Sequence, residues 1–333
     1  MKLKNNLQHI TVSNFTTESG VLYPTVKLSY HVFGVDLYKA PVVLINHALT
    51  GNSNATGLKG WWNDLIGETK TIDTQKYSVL AFNVPGNGMD NNIIDSYNDF
   101  TARDIARLFI YGINYLEIEQ LFAIVGGSVG GGIGWEMVAL SPKIAKNFIP
   151  IATDWKATDW IIANCFLQEQ ILLNSSQPIE DARTHAMLCY RTPESLKEKF
   201  NTSYNSNLEN FSVESWLMHH GEKLQKRFQL AAYKMMNHVL KSIDITRNRG
   251  SFEEVVSGIE ANIHLVAIDS DLFFTSNESK NTYKEILKLK KNVSYHEIKS
   301  IHGHDAFLIE YNQLNTILSS IFKFSNQPCY ECI

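Results

Sequence analysis

Residues 121–132 read Leu-Phe-Ala-Ile-Val-Gly-Gly-Ser-Val-Gly-Gly-Gly. The first five form a short apolar run of the kind found in strands buried on both faces. Gly126-Gly127-Ser128-Val129-Gly130 then fits the pattern G-x-S-x-G, and residues 133–140 resume a spacing suited to a helix. A serine on so tight a strand-to-helix turn stands exposed at the carboxyl edge of a sheet. Glycines flank it because a Cβ there would strike neighbouring backbone. Ser128 is therefore the candidate nucleophile. A dinucleotide-binding loop does not fit, since no G-x-G-x-x-G can be read here and no acidic residue follows at the required distance.

Working outward, residues 9–12 and 26–33 alternate like early strands, and residues 41–47 and 77–84 are short apolar runs bounded by turn residues. Residues 101–116 carry apolar side chains at helical spacing, with Thr101 placed to cap and Asp104 in the first turn. Residues 147–152 make one more strand. From 155 to 255 the strand pattern nearly vanishes, and residues 161–173, 179–190 and 222–242 read as helices. Alternation then resumes: a strand at 261–268 ending in Asp269-Ser270-Asp271, a helix at 279–290, a strand at 293–298, and mostly helix from 306 to 322. Alternation on both sides of a helical block predicts one mostly parallel α/β sheet, built from residues 1–154 and 256–333. The helical cap at 155–255 is inserted into it.

With 44% hydrophobic and 19% charged residues in 333, the chain has the composition of a globular protein with a substantial core. Its net charge of −4 is spread along the chain, and no basic block suggests nucleic acid or an anionic membrane as a partner. The amino-terminal residues lack the apolar stretch of a secretory signal, and no apolar run approaches the ~20 residues of a membrane helix; the expected location is cytoplasmic. Of four cysteines, Cys165 and Cys189 lie in helical stretches and read as small core residues. Cys329 and Cys332 form a C-x-x-C without the further ligands that a zinc site needs, so no metal is expected.

In the α/β-hydrolase fold that this pattern implies, the acid follows the nucleophile at the end of a late strand, and the base comes last. Asp271 meets the first condition, with Asp269 as a close competitor. Ser300-Ile-His-Gly-His-Asp305 places His302 and His304 in the loop after the 293–298 strand, and spacing does not choose between them. Asn46-His-Ala-Leu-Thr-Gly51 follows an early strand, where this fold supplies one amide of an oxyanion hole. The other amide would be that of Val129.

Together these segments resemble the homoserine O-acetyltransferase family of α/β-hydrolase-fold acyltransferases. The resemblance is carried in order by His47-Ala-Leu-Thr-Gly, Trp61-Trp62, Ile72-Asp-Thr, Gly126-Gly-Ser-x-Gly-Gly, Ala182-Arg183, Ser270-Asp-x-Leu-Phe and Gly303-His-Asp-Ala-Phe-Leu. It spans about residues 12–322. It implies Ser128 as nucleophile, Asp271 as acid, His304 rather than His302 as base, and the Leu49 and Val129 amides as the oxyanion hole. It also implies that Arg183 and Tyr190 hold an amino-acid acceptor, with Arg183 on its carboxylate and Asp305 meeting its ammonium. The implied reaction moves an acetyl group from acetyl-CoA, a co-substrate rather than a bound cofactor, to the hydroxyl of L-homoserine in methionine biosynthesis. A homodimer through the cap is implied as well. The chain departs from the family at the pocket rim: Glu169 stands where an arginine is usual, His219-His220-Gly221 replaces Tyr-Gln-Gly, and the cap is shorter. Succinyl-CoA as donor, serine as acceptor, or water as acceptor in an esterase-like hydrolase are the alternatives left open.

Overall fold

The computed structural model describes residues 6–323. Eight strands form one sheet: β1 Gln8–Thr16, β2 Leu22–Gly34, β3 Val42–Asn46, β4 Ser78–Phe82, β5 Leu121–Gly127, β6 Ala145–Ile151, β7 Asn262–Ile268 and β8 Val293–Ile298. Their order across the sheet is β1-β2-β4-β3-β5-β6-β7-β8. β2 runs antiparallel to both β1 and β4, and every other pairing is parallel.

The central strands are apolar throughout because both faces are covered. Every residue of β3 and β4 is buried. Val42 and Leu44 join one core cluster and Val43 and Ile45 the other, as the two-residue repeat of a strand requires. The first cluster lies under helices α1 Ala102–Tyr115 and α2 Val129–Leu140. The second lies under the 53–77 connection and the carboxyl-terminal helix, where Trp62, Leu65, Leu314 and Leu318 are fully buried. Removing one such leucine from water is worth roughly 1.5–3 kcal/mol. α1 starts at a capping box in which Thr101 and Asp104 each accept the other's backbone N–H.

Five helices follow β6: α3 Asp159–Asn174, α4 Pro178–Tyr190, α5 Pro193–Phe200, α6 Ser212–Gln225 and α7 Leu230–Lys241. A two-stranded ribbon pairs Tyr204 and Asn205 with Phe211 and Asn210 inside this block. Entry and exit of the block run side by side: Ala157 N donates to Ile243 O and Ile245 N to Trp155 O. Two expectations change here. The stretch at 222–242 is not one helix, because the chain turns at residues 226–229, burying Phe228 and sending Arg227 to the carbonyl of Thr50. And α8 Phe252–Gly258, at the end of the 155–255 block, packs on α2 and on α9 Ser276–Leu289, so it flanks the sheet. A six-residue 3₁₀ segment, Gly303–Leu308, and α10 Tyr311–Ser319 complete the chain.

A buried ionic knot joins the exit of the helical block to the sheet. Arg103 of α1 bonds Glu136 of α2 at 3.0 Å and Glu18 at 2.8 Å; Arg249 reaches Glu136 at 3.2 Å and Arg247 reaches Glu18 at 2.7 Å. Glu136 is fully buried, and two arginines offset the cost of removing its charge from water.

Candidate active site

β5 delivers Ser128 into a conformation that an L-residue rarely adopts, φ +55° and ψ −131°. Hydrogen bonds hold it there: Ser128 N donates to Ile151 O at 2.9 Å, and Gly131 N donates to Ser128 O at 2.9 Å. The glycines leave no alternative residue. A Cβ on Gly126 would come within 2.4 Å of Gly130 O, and one on Gly130 within 2.4 Å of Asn46 O.

His304 opens toward this turn from the 3₁₀ segment. Its Nε2 lies 3.0 Å from Ser128 Oγ and its Nδ1 2.7 Å from Asp271 Oδ2. Asp271 follows β7, and its Oδ1 accepts the backbone N–H groups of Phe273 at 2.7 Å and Phe274 at 2.9 Å. All three side chains are buried. With Nδ1–H given to a carboxylate, the imidazole presents an unprotonated Nε2 to the hydroxyl, the arrangement of a general base. Rings of Tyr190 and Phe273 (centroids at 5.3 Å) and of Phe274 and Phe307 (5.7 Å) wall the imidazole from water.

The competitors are engaged elsewhere. His302 Nδ1 meets Ser195 Oγ at 2.9 Å, and Asp269 Oδ1 accepts Ser300 N at 3.0 Å.

Val129 is the first residue of α2, so its amide has no acceptor within the helix. Leu49 lies in the turn after β3, closed by Gly51 N donating to Ala48 O at 2.8 Å. Sequence reasoning missed what aims that turn. His47 Nδ1 lies 2.8 Å from Ala48 O, while its Nε2 accepts Val84 N–H at 3.1 Å and faces Asn87 Nδ2 at 3.3 Å. The Ala48 carbonyl and the Leu49 N–H belong to one rigid peptide plane, so pinning the oxygen fixes the direction of the N–H. Burial keeps this imidazole neutral, pushing its pKa down to about 4. The sign in the sequence was a histidine directly after a buried strand.

Arg183 and Tyr190 share α4, with the guanidinium carbon 5.7 Å from the ring centroid. Asp305 does not stand alone: its Oδ2 accepts Arg191 Nε–H at 3.1 Å, a partner not expected from sequence, while Oδ1 has no hydrogen bond among the described residues. Glu169 accepts Tyr97 OH at 3.1 Å and lies 3.9 Å from Lys241, away from the three residues above. Burial raises the Cys165 thiol to about 12, so it carries no thiolate at neutral pH. Cys329 and Cys332 lie outside the described residues.

Residues 41–223 match a family model described as alpha/beta hydrolase fold. Across 93% of its length the chain is 34% identical to the homoserine O-acetyltransferase of Cyclobacterium marinum, covering 93% of that protein. This chain belongs to the homoserine O-acetyltransferase family. The homoserine O-acetyltransferase of Methanococcus vannielii is 33% identical over 92% of the chain and 70% of that protein. Among solved structures, a homoserine O-acetyltransferase from Bacillus anthracis superposes with a TM-score of 0.85 at 20% identity, covering 97% of this chain and 98% of that one. Esterase E22 superposes equally well, at 0.85 with 16% identity, over 96% of this chain and 100% of its own. These superpositions establish the α/β-hydrolase fold, which family acyltransferases share with ester hydrolases.

Proposed function

We propose that the protein transfers an acetyl group from acetyl-CoA to the hydroxyl of L-homoserine through an acyl-serine intermediate. The observation that carries this reading is the His304 imidazole bridging Ser128 Oγ at 3.0 Å and Asp271 at 2.7 Å, in a member of this family.

In the first half-reaction His304 Nε2 takes the Ser128 proton as Oγ attacks the thioester carbonyl. The Leu49 and Val129 amides receive the negative oxygen, the contribution that usually dominates acyl transfer. Asp271 stabilises the imidazolium. The intermediate collapses, the C–S bond breaks, and the proton passes from His304 to the departing sulfur. In the second half-reaction the acceptor hydroxyl gives its proton to His304 and attacks the acyl-serine. The C–Oγ bond then breaks, and the proton returns to Ser128.

Arg183 would pair with the acceptor carboxylate, which a guanidinium fork suits. The free Oδ1 of Asp305 would take its ammonium. Transfer outruns hydrolysis when the bound alcohol is better placed than water, and the aromatic wall around His304 favours that outcome.

Brief mixing with acetyl-CoA, followed by intact-mass analysis, should show one added acetyl group, absent from Ser128→Ala and discharged on adding homoserine. Adduct decay at the same rate with and without homoserine would make the protein an esterase. A stable adduct from succinyl-CoA alone would reassign the donor.

A further inference from the structure

The turn between α6 and α7 carries Arg227 back over the core. Its Nη1 donates to Thr50 O at 2.8 Å, one residue from Leu49, and its Nη2 lies 3.4 Å from Thr50 Oγ1. Beside it opens a cavity of about 150 Å³. The walls come from the turn after β3, the loop after β4 and the α6–α7 turn: Thr50, Asn52, Asn87, Gly88, Arg227 and Gln229.

The charge balance of this cavity is one-sided. No acidic residue lines it, and neither Arg227 nor Arg183 has an ion-pair partner among the described residues. The nearby Asp90 is turned away, toward His9 at 3.9 Å and the amide of Asn92 at 3.0 Å. Asn52 Nδ2 and Gln229 Nε2 carry no hydrogen bond among the described residues, so two further donors are available. Partial desolvation and the charge of Arg183 both lower the Arg227 pKa. A guanidinium beside a cavity that no carboxylate lines favours an anion there.

We propose that this cavity is a subsite for a phosphate group of the thioester donor, with Arg227 as its cation. The inference rests on the acetyl-CoA reading above. Of the anions in that reaction, the acceptor carboxylate is assigned to Arg183. The phosphates of the donor have no other cation assigned. Arg227 bonds the carbonyl of Thr50, the residue after Leu49, so the cavity lies beside the turn assigned to the reacting carbonyl.

The test compares acetyl-CoA, acetyl-dephospho-CoA and S-acetylpantetheine, at saturating homoserine, in wild type, Arg227→Gln and Arg227→Lys. Losing a charge-assisted contact should lower the kcat/KM ratio of acetyl-CoA over S-acetylpantetheine by about ten- to a hundredfold in Arg227→Gln, through KM. Arg227→Lys should recover part of it. Rising salt should raise the acetyl-CoA KM of wild type more than that of Arg227→Gln. If acetyl-dephospho-CoA keeps the dependence on Arg227, the pyrophosphate is the group held; if it loses it, the 3′-phosphate is. An unchanged ratio in Arg227→Gln overturns the subsite. A wild type acetylated by none of the three donors refutes the acyl-transfer reading itself. Equal wild-type use of acetyl-CoA and S-acetylpantetheine removes the subsite alone.

Discussion

Replacing Asp271 with Asn changes one terminal atom of a buried side chain, and the surroundings dictate how the new amide must sit. Two backbone N–H groups, those of Phe273 and Phe274, point at Oδ1 from 2.7 and 2.9 Å. An NH₂ there would set donor against donor, so the Asn oxygen takes that place and its NH₂ turns to His304. Nδ1, 2.7 Å from that position, must then accept, which moves the ring proton to Nε2. Nε2 now donates toward Ser128 Oγ, 3.0 Å away, and can no longer remove its proton. Loss of the working tautomer costs on the order of 10⁴ in kcat, the scale measured when the triad carboxylate of a serine protease is so replaced, or ~5 kcal/mol of barrier. Stopped-flow release of CoA from acetyl-CoA measures the step directly, with a thermal melt to show that the fold persists. An Asp271→Asn enzyme within tenfold of the wild-type rate would refute the tautomer reasoning and the role of Asp271 with it.

Further expectations follow from other contacts. Arg183→Ala should raise the homoserine KM about tenfold or more, while release of CoA in the first half-reaction stays near wild type; steady-state and burst kinetics separate the two. Gly130→Ala places a Cβ 2.4 Å from Asn46 O and 2.7 Å from His47 O, so urea denaturation should show a loss of about 1–3 kcal/mol or more. His47 is neutral when folded, with its pKa lowered to about 4 from 6.5. The unfolded chain therefore binds the extra proton first, and stability present above pH 6.5 is lost as pH falls toward 4, by up to roughly 3 kcal/mol from this group. His47→Gln should flatten that part of the stability-versus-pH curve, as urea titrations at several pH values would report. Thr101→Ala removes the α1 cap and should cost ~1 kcal/mol by the same method.

What could be read from the sequence was whatever a local pattern specifies. Ser128 announces itself because its strand, turn and helix are contiguous, and the requirement for glycine at 126 and 130 is met within a few residues. The capping box at Thr101 and Asp104 is equally local. Choosing His304 over His302 was different: both lie in one loop, and Ser195, the partner that occupies His302, is distant in sequence. The Arg191–Asp305 pair spans 114 positions and left no local trace. The break at residues 226–229 was hidden because apolar spacing continues through it. Only the core-facing Phe228 and the reach of Arg227 to Thr50 show why the helix stops. α5 had a readable start in Thr192-Pro193, where the threonine side chain accepts Ser195 N–H, but its apolar face is too short to stand out.

The knot around Glu136 sets terms for anyone recombining this scaffold. Arg247 and Arg249 belong to the returning tether of the helical block, yet their partners, Glu18 and Glu136, belong to the sheet side. A graft that exchanges residues 155–255 as a cassette would take both guanidinium groups away and leave a carboxylate enclosed in protein with Arg103 alone. Stranding part of such a cluster typically costs several kcal/mol. Chimaeras joined before residue 244 keep the donors with their acceptors, so the practical seam of this molecule lies inside the tether rather than at its end.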